Sequence, residues 1–117
     1  MTSYAYQTAE AGVRTFSTGA TRDTDEGKFE FGGFLSHEVL EAFAHYMHGK
    51  RKLPDGTMRS ASNWKRGIPR DAYMSSMHRH FMAVWKSHDT EGAADIEELC
   101  ALLFNVQGML YELLKGR

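Results

Sequence analysis

The feature that most constrains this chain lies near its end, where Leu99, Leu102, Leu103, Val106, Leu110, Leu113 and Leu114 recur at spacings of three and four residues or their sums. Side chains so spaced share one flank of an α-helix, whereas a strand would alternate every second residue. Residues 94–114 are therefore expected as a helix with a broad apolar stripe. A stripe that wide needs cover, and two earlier segments offer it. Residues 36–49 read as a helix capped by Ser36, with Leu35 placed as a hydrophobic staple. Val39, Leu40, Phe43 and Met47 form its apolar face, and Gly49 is its stop. Residues 71–86 read as another helix, with Tyr73, Met77, Phe81 and Val84 on one face, Met74 and Trp85 beside them, and a break at residues 88–92.

Between the first two helices, residues 49–71 form a long loop holding the turn signal Pro54-Asp55-Gly56. Loops of that length in compact domains are often functional. Residues 1–33 show no sustained period; residues 27–33 alternate briefly and suggest an extended piece. The expected architecture is all-α: a small bundle of three main helices over residues 34–117, preceded by an N-terminal arm, residues 1–33. Its core would be thin, so the long stripe also points to a homo-oligomer.

The chain has 117 residues, the size of one domain. Its 14 basic and 15 acidic residues nearly cancel, leaving no global field for nucleic acid, which is not an expected partner. The cluster Lys50, Arg51, Lys52 reads as a solvated loop before it reads as a phosphate site. A single cysteine, Cys100, excludes an internal disulfide. Within Leu99-Cys100-Ala101-Leu102-Leu103 it reads as a small buried hydrophobe, with nothing nearby to lower its pKa toward a nucleophile. Residues 1–18 are polar, without the apolar segment of a signal peptide, and no stretch is long enough to cross a bilayer. The expected compartment is the cytoplasm, without a membrane partner. No Ser-His-Asp order, zinc-type Cys/His set, Walker A motif, dinucleotide glycine fingerprint or helix-turn-helix signature is present.

Five groups of residues could carry chemistry. On the first helix Glu38, Glu41, His45 and His48 share a stripe roughly 80° wide. Such a set suits a divalent cation, the carboxylates favouring Mg²⁺ or Mn²⁺; from periodicity alone a solvated face is the preferred reading. On the last helix Asp95, Glu98 and Asn105 follow one edge of the leucine stripe, where an acid must be paired, metal-bound or protonated. Asp95 could equally complement the helix dipole, and Asn105 could bond a neighbouring helix. Glu97 falls on a different face and reads as solvated. The middle helix carries Arg79, whose planar fork suits phosphate, and His80, which flanks the apolar face. In the loop, Asn63 and Trp64 precede Lys65 and Arg66, an aromatic plate for a base beside cations for phosphates; Trp64 could also simply anchor the loop. The arm adds Arg22 and Lys28 beside glycines, in Gly19-Ala20-Thr21-Arg22 and Gly27-Lys28.

Taken in order, these pieces resemble a phage and prophage family, the N-terminal domain of dATP/dGTP diphosphohydrolases. The resemblance rests on five stretches: Gly19-Ala20-Thr21-Arg22 with Gly27-Lys28; Glu38-Val39-Leu40-Glu41; Asn63-Trp64-Lys65-Arg66-Gly67-Ile68-Pro69; Arg79-His80; and Asn105 in an apolar last helix. Two departures stand out. Glu98 and Ala101 occupy places where family members often carry histidines, and residues 53–62 look inserted. The pattern also resembles the wider all-α, MazG-like pyrophosphatases, which hold Mg²⁺ with carboxylate pairs on neighbouring helices. That resemblance implies a metal set of Glu38, Glu41, Asp95 and Glu98, with Glu38, Glu41 and Glu98 catalytic and Mg²⁺ or Mn²⁺ as cofactor. It implies a nucleotide ligand held by Arg22, Lys28, Asn63, Trp64, Lys65, Arg66, Arg79, His80 and Asn105. The expected reaction converts a dNTP to dNMP and pyrophosphate. Two other functions stay open: a nucleotide-sequestering protein without turnover, and a small helical interaction module.

Overall fold

The computed structural model describes residues 12–92 and 95–116. It divides the chain into two compact units, Met1–Ser36 and His37–Arg117.

The first unit carries more structure than its composition suggests. Strands β1 (Val13–Thr15) and β2 (Thr21–Asp23) pair antiparallel, with Val13 opposite Asp23, Arg14 opposite Arg22 and Thr15 opposite Thr21. The connection closes through Phe16 and Ala20, with Gly19 at φ 91°, a left-handed conformation that glycine adopts without a Cβ penalty. Arg14 pins the hairpin by donating to the Asp23 carbonyl and pairing with Asp25 at 2.9 Å. A single helical turn, α1 (Phe31–Phe34), follows. The fold is thus mostly helical rather than purely all-α. The arm contains a hairpin, and the end of the expected extended piece at residues 27–33 is helical. Strands of three residues are too short to leave a period in the sequence. Residues 1–11 of the expected arm lie outside the described residues.

The second unit is built from α2 (His37–Gly49), α3 (Arg70–Glu91) and α4 (Ile96–Lys115). Helix α2 starts one residue after Ser36 and ends at Gly49, as its sequence signals indicate. Helix α3 runs five residues beyond its expected end and stops at Gly92, whose left-handed φ of 78° lets its N–H close on the His88 carbonyl. Helix α4 is capped by Asp95, whose carboxylate accepts from the Glu97 N–H at 2.7 Å; the expected start at Ala94 lies outside the described residues.

Helices α3 and α4 form the main packed pair, and α2 lies against α4. Tyr73, on α3, is the largest fully buried side chain, at 1% exposure. Its ring lies on Gly108, where a Cβ would overlap Cε1 and Cζ of the tyrosine. The buried face of α4 is Cys100, Ala101, Asn105 and Gly108. The leucine stripe expected to form the core is instead mostly solvent-exposed, from Leu103 at 37% to Leu110 at 53%. Small residues let α3 approach the α4 backbone closely, and that approach selects the buried face. On α2, Val39 and Leu40 are likewise exposed, while Phe43, Tyr46 and Met47 are half-buried.

The α2–α3 connection is ordered. Asp55 accepts from the Thr57 N–H and hydroxyl, and these hydrogen bonds lower its pKa. The Leu53 N–H donates to the Thr57 carbonyl, and the Arg59 N–H to the Arg51 carbonyl. No helix among the described residues is long and apolar enough to cross a membrane.

Candidate functional site: an aromatic, cation-edged cleft

The α2–α3 connection folds back as an irregular hairpin bridged between Lys52 and Met58, and the segment after it places the loop motif. Residues Asn63–Arg66 form a 3₁₀ turn that ends at Gly67, whose φ of 121° excludes a side chain without strain. Pro69 then provides the entry to α3. The Ile68 N–H donates to the Glu112 carboxylate at 3.4 Å, tying the motif to α4. Trp64 packs edge-on against Tyr111 and Phe104 of α4, with centroids 4.9 and 6.2 Å away. It anchors the loop and also lines a cleft.

That cleft has a volume of about 490 Å³, within the range of small-molecule sites. Its walls bring together Asn63, Trp64, His80 and Asn105, four residues singled out in sequence from three separate segments. Asn105 is 4% exposed, and its amide nitrogen donates to the Ala101 carbonyl at 2.8 Å. His80 Nδ1 lies 2.7 Å from a Glu98 carboxylate oxygen, which fixes the imidazole. Phe104 and Tyr46 complete the aromatic lining.

Residues that the sequence reading did not assign to the ligand supply the cations. Lys50, Arg51 and Arg59 line the cleft, with His48 beside them. Lys50 lies 5.3 Å from the Tyr46 ring centroid, and Arg51 Nε donates to the Arg59 carbonyl at 2.8 Å. The cluster read as a solvated loop therefore sends two of its members to the cleft. Its charge was visible in the sequence, but the hairpin that folds it back was not.

The other expected ligand-binding cations are placed elsewhere. Arg79 is exposed and donates to Ser75 on its own helix. Lys65 lies over the Trp64 ring at 5.6 Å, and both it and Arg66 are exposed and outside the cleft lining. Arg22 and Lys28 are exposed members of the first unit.

A second cleft, of about 550 Å³, is acidic. Glu38, Glu41, His37 and His45 of α2 line it with Glu97 and Cys100 of α4. The expected quartet of Glu38, Glu41, Asp95 and Glu98 is not assembled there: Asp95 caps α4 and Glu98 holds His80. Glu97, expected on a solvated face, is the α4 acid that joins Glu38 and Glu41. Their hard oxygens suit Mg²⁺ or Mn²⁺, and no three metal-ligating side chains converge on one point among the described residues. Mg²⁺ does not require such a cage, because one or two carboxylates commonly hold it together with substrate phosphates.

Tyr46 lines both clefts. Burial raises its pKa, assisted by the negative potential of Glu98, Cys100 and Glu97. Its hydroxyl therefore stays protonated across neutral pH and can donate a hydrogen bond.

Fold and site together define a class: a small, mostly helical domain with an aromatic cleft edged by cations and an acidic cleft beside it. The family model for the dATP/dGTP diphosphohydrolase N-terminal domain matches residues 18–117, and the chain belongs to that family. No curated protein and no solved structure matches the chain significantly.

Proposed function

We propose that the protein binds a deoxynucleoside triphosphate in the aromatic cleft and hydrolyses it to the monophosphate and pyrophosphate. In a phage this would adjust the nucleotide pool of the host cytoplasm. The family's name directs the choice to dATP or dGTP. The observation that carries the reading is the meeting of Asn63, Trp64, His80 and Asn105 with Lys50, Arg51 and Arg59 around one cavity.

Trp64 and Tyr46 offer faces for the base. Lys50, Arg51 and Arg59 hold the phosphates, Arg through a fork that matches phosphate oxygens. Asn63 and Asn105 present amides, donor and acceptor together, to the base or sugar. Glu98 orients His80 toward the ligand. Glu38, Glu41 and Glu97 would hold Mg²⁺ or Mn²⁺, which supplies Lewis-acid neutralisation of the triphosphate when bound. Hydrolysis adds water across the α–β phosphoanhydride; the α-phosphate keeps one oxygen from water and pyrophosphate leaves.

A second reading, a sequestering protein without turnover, is favoured by one observation: Glu98 is engaged by His80 rather than placed with Glu38 and Glu41. Thermal stability across dNTPs and NTPs, with and without Mg²⁺ or Mn²⁺, tests both readings when released pyrophosphate is read in the same wells. A specific ligand raises the melting temperature by mass action, with or without turnover. Stabilisation with pyrophosphate release supports the hydrolase, and Glu41→Gln should then abolish release while binding persists. Stabilisation alone selects the sequestering protein. No shift with any nucleotide rejects both and leaves an interaction module.

A further inference from the structure

His80 of α3 lines the aromatic cleft, and its Nδ1 lies 2.7 Å from Oε2 of Glu98 on α4. A carboxylate has only acceptor oxygens, so the hydrogen in this bond belongs to Nδ1. An imidazole that keeps its ring hydrogen there carries its lone pair on Nε2. The bond also fixes the ring, because the two half-buried side chains come from different helices. A base held by an orienting acid is the arrangement that activates a nucleophile.

The pair belongs to the junction of the two clefts. Tyr46 lines both. On α4, Cys100 lines the acidic cleft and its neighbour Ala101 the aromatic one. Glu97 lines the acidic cleft, while the next residue, Glu98, holds a histidine of the aromatic cleft. The negative potential of both acids reaches the Tyr46 hydroxyl. A triphosphate that meets the cations of one cleft and the carboxylates of the other must cross this junction, and His80 is the aromatic-cleft side chain tied to it.

We propose that His80 is the general base of the hydrolysis, with Glu98 as its positioning residue. The inference rests on the hydrolase reading above. Nε2 takes a proton from the attacking water, whose oxygen bonds to the α-phosphorus. The bond from that phosphorus to the α–β bridging oxygen breaks, and its electron pair leaves with pyrophosphate. His80 then carries positive charge in a cleft that already holds Lys50, Arg51 and Arg59, and the Glu98 carboxylate offsets it. The engagement of Glu98 by His80 thus serves the chemistry instead of counting against turnover.

Steady-state pyrophosphate release from dATP and dGTP by the full chain, read beside the nucleotide-induced rise in melting temperature, tests it. His80→Ala should lower kcat about a hundredfold or more, with the thermal shift kept, and added imidazole should restore part of the rate. Glu98→Gln should lower kcat about tenfold or more at unchanged KM, because an amide can donate to Nδ1 and favour the wrong tautomer. Should His80→Ala unfold, His80→Asn replaces it, with the same loss expected. A folded His80 variant whose kcat stays near wild type overturns the proposal and leaves the hydrolase reading standing. So does a loss matched by lost nucleotide binding and not relieved by imidazole. Wild-type protein that releases no pyrophosphate from any nucleotide overturns the hydrolase reading, and this proposal with it.

Discussion

On its inward side α4 carries Ala101 and Asn105, 3% and 4% exposed, and Gly108 beneath the Tyr73 ring. On its outward side it carries leucines that retain 37% to 53% of their exposure. By hydrophobicity alone the outward side should be the core. The inward side is buried because close approach of two helices rewards small residues, and the ring of Tyr73 then fills the space above Gly108. Burial in a small bundle follows from how near two backbones can come as well as from how apolar each side chain is.

The contrast can be broken most sharply at Gly108. Gly108→Leu should cost about 3 kcal/mol, because the new side chain must displace a fully buried ring. Gly108→Ala should cost less, since about 1 kcal/mol of improved helix propensity offsets part of the clash. Urea unfolding of both variants measures this, and an unchanged midpoint for Gly108→Leu would show that Tyr73 does not hold the helices together.

Next in size is a gain. The Tyr73 hydroxyl is buried without a hydrogen-bond partner among the described residues, so Tyr73→Phe should stabilise the fold by about 1 kcal/mol. A loss of that size would reveal a partner for the hydroxyl in the working protein.

Alkaline pH sharpens the same point. Burial raises the pKa values of both Tyr73 and Tyr46 above the ordinary 10.0, with Glu112 adding to the first and Glu98 to the second. A raised folded-state value favours the neutral form, so this contribution is intact below pH 10 and is lost as pH climbs through the folded pKa. Stability should fall above about pH 10, and less steeply in the two Tyr→Phe variants. Equal slopes in wild type and variants would remove the tyrosines as the cause.

The smallest effect belongs to the outward face. In protein dilute enough to be monomeric, Leu110→Ser should change stability by no more than about 0.5 kcal/mol. Denaturation at two concentrations checks this: a large loss in the dilute monomer would mean that the outward leucines serve the single chain's own core.

Much of the helical unit was legible. Periodicity located α2, α3 and α4, and Gly49 marked the end of α2, whereas α3 ran on through the expected break to Gly92, where a left-handed φ favours glycine. The motif at residues 63–69 was legible as a loop with chemistry, because Trp64, Gly67 and Pro69 each punctuate the backbone. The hairpin in the first unit was not, since its strands are too short to show alternation. The acids also eluded position counting. Asp95 and Glu98 share an edge of α4, yet one caps the helix by accepting from the Glu97 N–H and the other reaches across to His80, while Glu97 joins the α2 carboxylates.

The sequence by itself determined local properties: where helices run, where they stop, and which residue types stand ready for phosphate, base and cation. Those depend on backbone propensity and on spacing within a turn or two. Only the tertiary structure decided which face of α4 is buried, that Lys50 and Arg51 turn back to the Trp64 cleft, and which acid shares a cavity with Glu38 and Glu41. These depend on contacts between separate segments: a ring settled on a glycine for α3 and α4, and the bonds between Arg51 and Arg59 for the loop.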